Sequence, residues 1–213
     1  MKFCIILNGE IQDYQITSNI IKENNYDFII CADGGANHAY NMNIVPNYII
    51  GDLDSIDSVV KKYFENQHVE FKKFPEKKDE TDTELCIYLA NELGATHIDF
   101  YGALGGRIDH MIANINLLYY TRSMGLTVRI MTCKEEMYIA INEELVIEGL
   151  IGDTVSVIPI YKDAKGVTLK GFEWALYNHT MEYGKPLGIS NIMIEKICSI
   201  RVDEGSLLVV RNK

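Results

Sequence analysis

Short apolar runs alternate with helical stretches over about the first 130 residues of the chain. Runs at 3–7, 27–32, 48–50, 69–74, 97–101 and 127–131 are rich in β-branched and aromatic residues and predict strands. The clearest helices between them span 81–93 and 107–124. In the second, Ile108, Met111, Ile112, Ile115, Leu118 and Tyr119 recur at helical spacing, and Gly125 is a natural C-cap. Alternation of this kind predicts an α/β domain with a mostly parallel, Rossmann-like sheet covered on both faces. The pattern changes after about residue 133. Only short apolar runs follow, at 138–141, 145–147, 155–160, 167–169, 192–194, 197–202 and 207–210, with no convincing amphipathic helix among them. Asp203-Glu204-Gly205-Ser206 looks like a hairpin turn between the last two. The expectation is an α/β domain over 1–135 and a smaller all-β domain, a sandwich or barrel, over 136–213. The second is small for independent stability and is expected to pack on the first or on a partner subunit.

Composition narrows the possible partners. The 213 residues are 47% apolar and 23% charged, as in ordinary globular proteins. The run at 3–7 is too short for a signal-peptide core and no small-residue cleavage site follows it, so it is read as a first buried strand. The formal net charge of -10 repels phosphate backbones and anionic lipids, which makes nucleic acid and membrane surface poor partners. Such a protein can still bind ATP if a divalent cation bridges the like charges. Cys4, Cys31, Cys86, Cys133 and Cys198 form no C-x-x-C pair, which argues against a disulfide framework or a zinc site. All but Cys133 sit in apolar contexts and are expected in the core, so a reducing, cytoplasmic setting is expected.

The polar clusters fall after the predicted strands: Asp33-Gly34-Gly35 after the second, Gly51-Asp52-Leu53-Asp54-Ser55 after the third, Asp79-Glu80-Thr81-Asp82 after the fourth and Gly102 to Arg107 after the fifth. In a parallel sheet these loops share one edge, beyond the carboxyl ends of the strands, where open α/β sheets bind ligands. Asp52 and Asp54 lie two apart, and an extended chain would point both side chains the same way. With Asp82, and Asp79 beside it, they make an oxygen-only cluster suited to Mg²⁺. Capping competes with this: Asp54 or Ser55 is placed to cap a helix starting near Ile56, and Thr81 with Glu84 fits a capping box. Gly105 and Gly106 at a helix start allow close backbone approach and offer free N–H groups to phosphate, while Arg107 adds a forked cation. This is neither a P-loop nor G-x-G-x-x-G. Asp33 either binds substrate or tunes the metal site, or is merely a turn residue. His110, one helical turn in, is placed to reach phosphate, although such a histidine is more often a plain surface residue. A Mg²⁺-dependent transfer of a phosphoryl-type group from a nucleoside triphosphate follows from this division of charge.

These residues also carry a resemblance. The segments Cys31 to His38, Gly51 to Ile56, Asp79 to Asp82 and Gly102 to His110, in this order and spacing, resemble the signature segments of thiamine pyrophosphokinases. Gly171 to Leu176 and Ser190-Asn191 are more loosely similar to that family's C-terminal domain. The resemblance implies transfer of a pyrophosphoryl group from ATP to the hydroxyl of thiamine, giving thiamine diphosphate and AMP. It also implies a homodimer, with thiamine held between the first domain of one subunit and the β domain of the other. By position it implies Asp52, Asp54 and Asp82 as metal ligands and Asp33 as a further active-site carboxylate. Gly34, Gly105, Gly106, Arg107, Asp109 and His110 are implied at the ATP, and Trp174, Ser190 and Asn191 at the thiamine. Leu53 departs from the aromatic residue expected between the two aspartates and is expected to face the core. Asp33 or Asp79 is a candidate acceptor for the hydroxyl proton. Trp174 read alone is better explained as a core anchor, whereas stacking on a cationic aromatic ring is its alternative role. Two rival functions are a D-x-D phosphohydrolase, which normally carries its pair after the first strand, and a non-catalytic nucleotide or thiamine sensor.

Overall fold

The computed structural model of the chain describes residues 1–75 and 79–213. It contains two compact units, Met1–Cys133 and Lys134–Lys213. The first is built on β1 (Lys2–Ile6), β2 (Phe28–Ala32), β3 (Tyr48–Gly51), β4 (Glu70–Lys73), β5 (His97–Tyr101) and β6 (Thr127–Met131), in the order β6-β5-β1-β2-β3-β4. Every pair among them is parallel. The connections are α1 (Tyr14–Glu23), α2 (Gly35–Asn41), α3 (Ser58–Asn66), α4 (Asp82–Glu92) and α5 (Ile108–Ser123). Cys4 and Ile6 of β1 join Ile21 of α1, Ala36 and Ala39 of α2 and Val60 and Phe64 of α3 in one apolar cluster. Residues alternate across a strand, so Phe3 and Ile5 face the other side, where α4 contacts β1, β2 and β3. Burial on both faces is why these strands are continuous apolar runs. The chain leaves β1 toward β2 but leaves β5 toward β6, which opens a crevice between the loops after β1 and β5.

The helix α5 departs from its apolar pattern. Ile108 is 70% exposed and Ile112 55%, and Leu118 and Thr121 are its only buried residues. Its first turns instead wall a cavity with His110, Ala113, Asn114 and Leu117, so the apolar stripe packs only farther along.

In the second unit, β7 (Glu135–Ile141), β9 (Thr154–Pro159), β12 (Asn191–Ile192) and β14 (Ser206–Asn212) pair antiparallel in the order β12-β9-β14-β7. The strands β8 (Glu144–Glu148), β10 (Ala164–Lys170), β11 (Leu176–Met181) and β13 (Ile197–Arg201) form a second antiparallel sheet, β11-β10-β13-β8. Val155, Val157, Leu207 and Val209 of the first sheet meet Ile147, Val167, Leu169 and Ile200 of the second in one core. The unit is therefore a sandwich. The turn at 203–206 is not a hairpin, because β13 pairs with β8 and β10 while β14 pairs with β7 and β9. The segment carries the chain from one sheet to the other, with Glu204 bridging to Lys165 and Gly205 at φ 115°. Strand β11 has no sequence signal because its residues are mostly exposed and polar; pairing with β10 holds it. Among the described residues, no helix is long and apolar enough to cross a membrane.

Candidate active site

Asp33 stands where β2 gives way to α2. Its N–H donates to the Ile50 carbonyl at 2.8 Å, and its own carbonyl accepts from Ala36 N–H at 3.0 Å. These bonds fix it in a left-handed conformation, φ 43°, with the side chain only 8% exposed. Its Oδ1 is buried and has no hydrogen-bond partner among the described residues. Gly51, at the end of β3, lets two carboxylates approach: a Cβ there would lie 2.9 Å from Asp33 Cβ and 3.2 Å from Asp82 Cγ.

Asp52 and Asp54 converge by a route other than an extended chain. Leu53 takes a left-handed φ of 69°, and the segment turns so that Asp54 N–H donates to Asp52 Oδ1 at 3.2 Å. Ser55 Oγ donates to Asp54 Oδ1 at 2.9 Å. The turn brings carboxylate oxygens of Asp33, Asp52 and Asp54 within 4.8 Å of one another. Leu53, half-buried, packs against the cluster formed by α1, α2 and α3, as the core-facing expectation had it. Neither Asp54 nor Ser55 caps a helix, since α3 begins only at Ser58 with Asp57 at its N-cap. The Thr81 capping box does form: Glu84 N–H donates to Thr81 Oγ1, and Thr81 N–H donates to Glu84 Oε2 at 2.8 Å. It presents Asp82, the first residue of α4, toward Gly51 and Asp33 from the side, so Asp82 flanks the converged trio without belonging to it. Asp79 is exposed and lies outside the cavity wall, in which its neighbour Glu80 takes part.

Burial pushes the Asp33 carboxyl above the ordinary carboxylate range, and the charges of Asp52 and Asp82 add to this; the nearby Ser55 hydroxyl and Gly34 N–H oppose it. A buried oxygen without a donor, within reach of two further carboxylates and no nitrogen or sulfur ligand in the group, fits a hard divalent cation such as Mg²⁺.

The trio borders a cavity of about 750 Å³ within the first unit. Gly105, Gly106, Arg107 and His110 line the same cavity. Gly105 and Gly106 have φ of 81° and 70°, a backbone conformation unfavourable to residues with a Cβ. Helix α5 then starts with no side-chain cap from Arg107; His110 N–H is taken by Asp109 Oδ1 at 3.0 Å, and the N–H groups ahead of it are left for a ligand. Arg107 is already engaged: its Nε and Nη2 donate to the Asp109 carboxylate at 3.1 and 2.5 Å. Asp109 and Gly34 are not in the cavity wall. Asp109 reaches the site through Arg107 and through His110, whose N–H it accepts, and Gly34 lies beneath the amide of Asn8.

The loop after β1 also belongs to the site. Leu7, Asn8 and Gly9 line the cavity, as do Thr83 and Asn114. The clue available in the sequence was Asn8-Gly9 following a buried strand, on the same edge as the other loops.

Residues 21–130 match the family model described as thiamin pyrophosphokinase, catalytic domain, and residues 136–207 the model described as thiamin pyrophosphokinase, vitamin B1 binding domain. The chain belongs to the thiamin pyrophosphokinase family. It is 32% identical to a protein of Oryza sativa subsp. japonica named thiamine pyrophosphokinase 1, over 84% of this chain and 76% of that one. It is 29% identical to the thiamine pyrophosphokinase of Bacillus subtilis (strain 168), over 86% of each. The crystal structure of thiamine pyrophosphokinase from Bacillus subtilis superposes with a TM-score of 0.88 at 25% identity, covering 100% of this chain and 99% of that one. The yeast thiamin pyrophosphokinase structure, 21% identical with a TM-score of 0.83 over 99% of this chain and 86% of that one, shares the fold.

In the second unit, the three positions implied by the family resemblance lie close along the chain fold. Trp174 is 57% exposed, so it is not the core anchor its composition alone favoured. Buried Asn191 clamps its backbone in both directions: Trp174 N–H donates to Asn191 Oδ1 at 3.0 Å, and Asn191 Nδ2 donates to the Trp174 carbonyl at 2.8 Å. Ser190, at φ 59°, donates its N–H to Ser156 Oγ at 3.1 Å.

Proposed function

We propose that this chain is a thiamine diphosphokinase, transferring a pyrophosphoryl group from ATP to the hydroxyl of thiamine to give thiamine diphosphate and AMP. The observation that carries the reading is the meeting of Asp33, Asp52 and Asp54 on a cavity that the glycine turn opening α5 also lines. The thiamine hydroxyl oxygen attacks the β-phosphorus, the bond from that phosphorus to the α,β-bridging oxygen breaks, and AMP departs. Asp33, Asp52 and Asp54 would hold Mg²⁺, with Asp82 beside them, and the ion when bound neutralises charge on the transferring phosphates. Gly105, Gly106 and the first turn of α5 present N–H groups to phosphate oxygens, and Arg107, oriented by Asp109, adds a fixed cation. Transition states of this kind are loose, so positioning outweighs base strength. Of the two candidate proton acceptors, Asp33 borders the cavity and Asp79 does not, so we assign the role to Asp33.

We further assign thiamine contact to Trp174, Ser190 and Asn191, the functional molecule to a homodimer, and its setting to a reducing cytoplasm. An exposed indole held by a buried amide supports the first, since it offers a ring face to a cationic aromatic ligand. Five free cysteines support the last.

The test is a product assay on purified protein with ATP, Mg²⁺ and thiamine. AMP and thiamine diphosphate are expected to form in equal amounts, and EDTA is expected to abolish both. Phosphate release without an acceptor would support the hydrolase, and binding without turnover the sensor. Trp174→Ala is expected to raise KM for thiamine about tenfold or more, the weight of a stacking contact of 1–2 kcal/mol, with KM for ATP within twofold. An equal loss of both, with a lower Tm, would make Trp174 structural.

A further inference from the structure

His38 is not used by the chemistry above, yet it is the side chain that ties the loop after β1 to its surroundings. It lies on α2, half-buried, with Nε2 at 2.8 Å from the Gly9 carbonyl and Nδ1 at 2.8 Å from the Tyr14 hydroxyl. A carbonyl can only accept, so Nε2 carries the proton; in a neutral ring Nδ1 then accepts from Tyr14 O–H. Burial holds the imidazole below the ordinary histidine range, the bond to Gly9 opposing it, which keeps the ring neutral. One residue thereby joins the start of α1, the body of α2 and the turn at Asn8-Gly9.

That turn is held tightly on its other side. Gly9 N–H donates to the Gly102 carbonyl and Glu10 N–H to the Leu104 carbonyl, both at 2.7 Å. A Cβ on Gly9 would lie 2.4 Å from Leu104 O and 2.5 Å from Gly102 O, and one on Gly105 would lie 2.5 Å from Glu10 Cβ. The loops after β1 and β5 are thus seated on each other, and movement of Gly9 is passed to the glycine turn. His38 ties this pair to α2 through Gly9, and Asn114 ties it to α5 by donating to the Ala103 carbonyl at 2.8 Å.

We propose that His38 is a positioning residue for the nucleotide: its Nε2–H holds the Asn8-Gly9 turn against the Gly102–Gly105 loop, keeping the phosphate-facing backbone in place. This rests on the assignment of ATP to the cavity. The effect is specific to one substrate, because both loops belong to the cavity and His38 itself does not line it.

Steady-state kinetics with each substrate varied in turn test it. His38→Ala is expected to raise KM for ATP about tenfold and lower kcat, the scale of one lost hydrogen bond plus a misplaced loop, with KM for thiamine within twofold. His38→Gln, whose amide returns a donor near the Nε2 position, is expected to restore KM for ATP to within about threefold of wild type. Long-range ¹H–¹⁵N spectra are expected to show the Nε2–H tautomer for His38 in the wild type and again in Tyr14→Phe, because the Gly9 carbonyl, which still faces Nε2, can only accept. If His38→Ala is too unstable to assay, His38→Gln and Tyr14→Phe carry the test. A wild-type spectrum with the proton on Nδ1 overturns the proposal, and so does an active His38→Ala with unchanged KM for ATP. Wild-type protein lacking ATP-saturable turnover would instead overturn the functional reading beneath it.

Discussion

Replacing Asp54 by alanine is expected to lower kcat/KM about 10³-fold while leaving Tm within about 2 °C of wild type, because a catalytic cation supplies several kcal/mol of transition-state stabilisation. Asp54 is exposed, and its bonds are local ones to Asp52 and Ser55. Its removal therefore costs the core little and relieves repulsion within the trio. Asp54→Asn is expected to be nearly as inactive, since an amide offers one neutral oxygen where a divalent cation favours a charged one. Adding Mg²⁺ is expected to raise the Tm of the wild type, by mass action on the folded state, and to raise that of Asp54→Ala much less. Thermal scans with and without the ion, run beside the kinetics, check both halves. Asp54→Ala keeping most of its rate at ordinary Mg²⁺ would sink the metal assignment.

Gly35→Ala is expected to act on stability instead, lowering Tm by about 6–10 °C, which corresponds to roughly 3 kcal/mol in a chain of this size. Gly35 is the first residue of α2 and is buried. A Cβ there would lie 2.1 Å from the Ile6 carbonyl oxygen and 2.8 Å from its carbon, both backbone atoms of the central strand β1. Neither can swing aside as a side-chain tip would, so α2 must lift off the sheet. That shift would disturb the Asp33 turn, whose carbonyl bonds Ala36, and activity is expected to fall along with stability. Urea melts followed by circular dichroism give the comparison; an unchanged midpoint would show that the helix and strand are not in rigid contact.

Much of the fold was legible because burial on both faces leaves unbroken apolar runs. The runs containing Phe3 to Ile6 and Ile98 to Tyr101 are almost wholly inaccessible, and they stand out in sequence for that reason. Where burial is partial the signal weakens. The polar edge strand β11 has no period to read, and α5 keeps a helical apolar spacing even where Ile108 and Ile112 are exposed. Turn chemistry misleads similarly: Asp203 to Ser206 has hairpin composition, but which strands it joins depends on partners far away in sequence. Asn8-Gly9 carries little signal because two small polar residues specify a turn and nothing about what the turn touches.

From the sequence alone came the kind of chemistry: acidic groups, a glycine turn and an arginine recurring after successive strands, which parallel topology must collect on one edge. Residue identity and the period of the pattern are local, and local information suffices for that. Tertiary structure decided which carboxylates meet. Leu53 turns rather than extends, bringing Asp33 in place of Asp82 into the trio with Asp52 and Asp54, and Asn191 holds the exposed Trp174 by its backbone. Distances of a few ångströms between residues remote in the chain are set by how strands and helices pack, and no spacing along the chain encodes them.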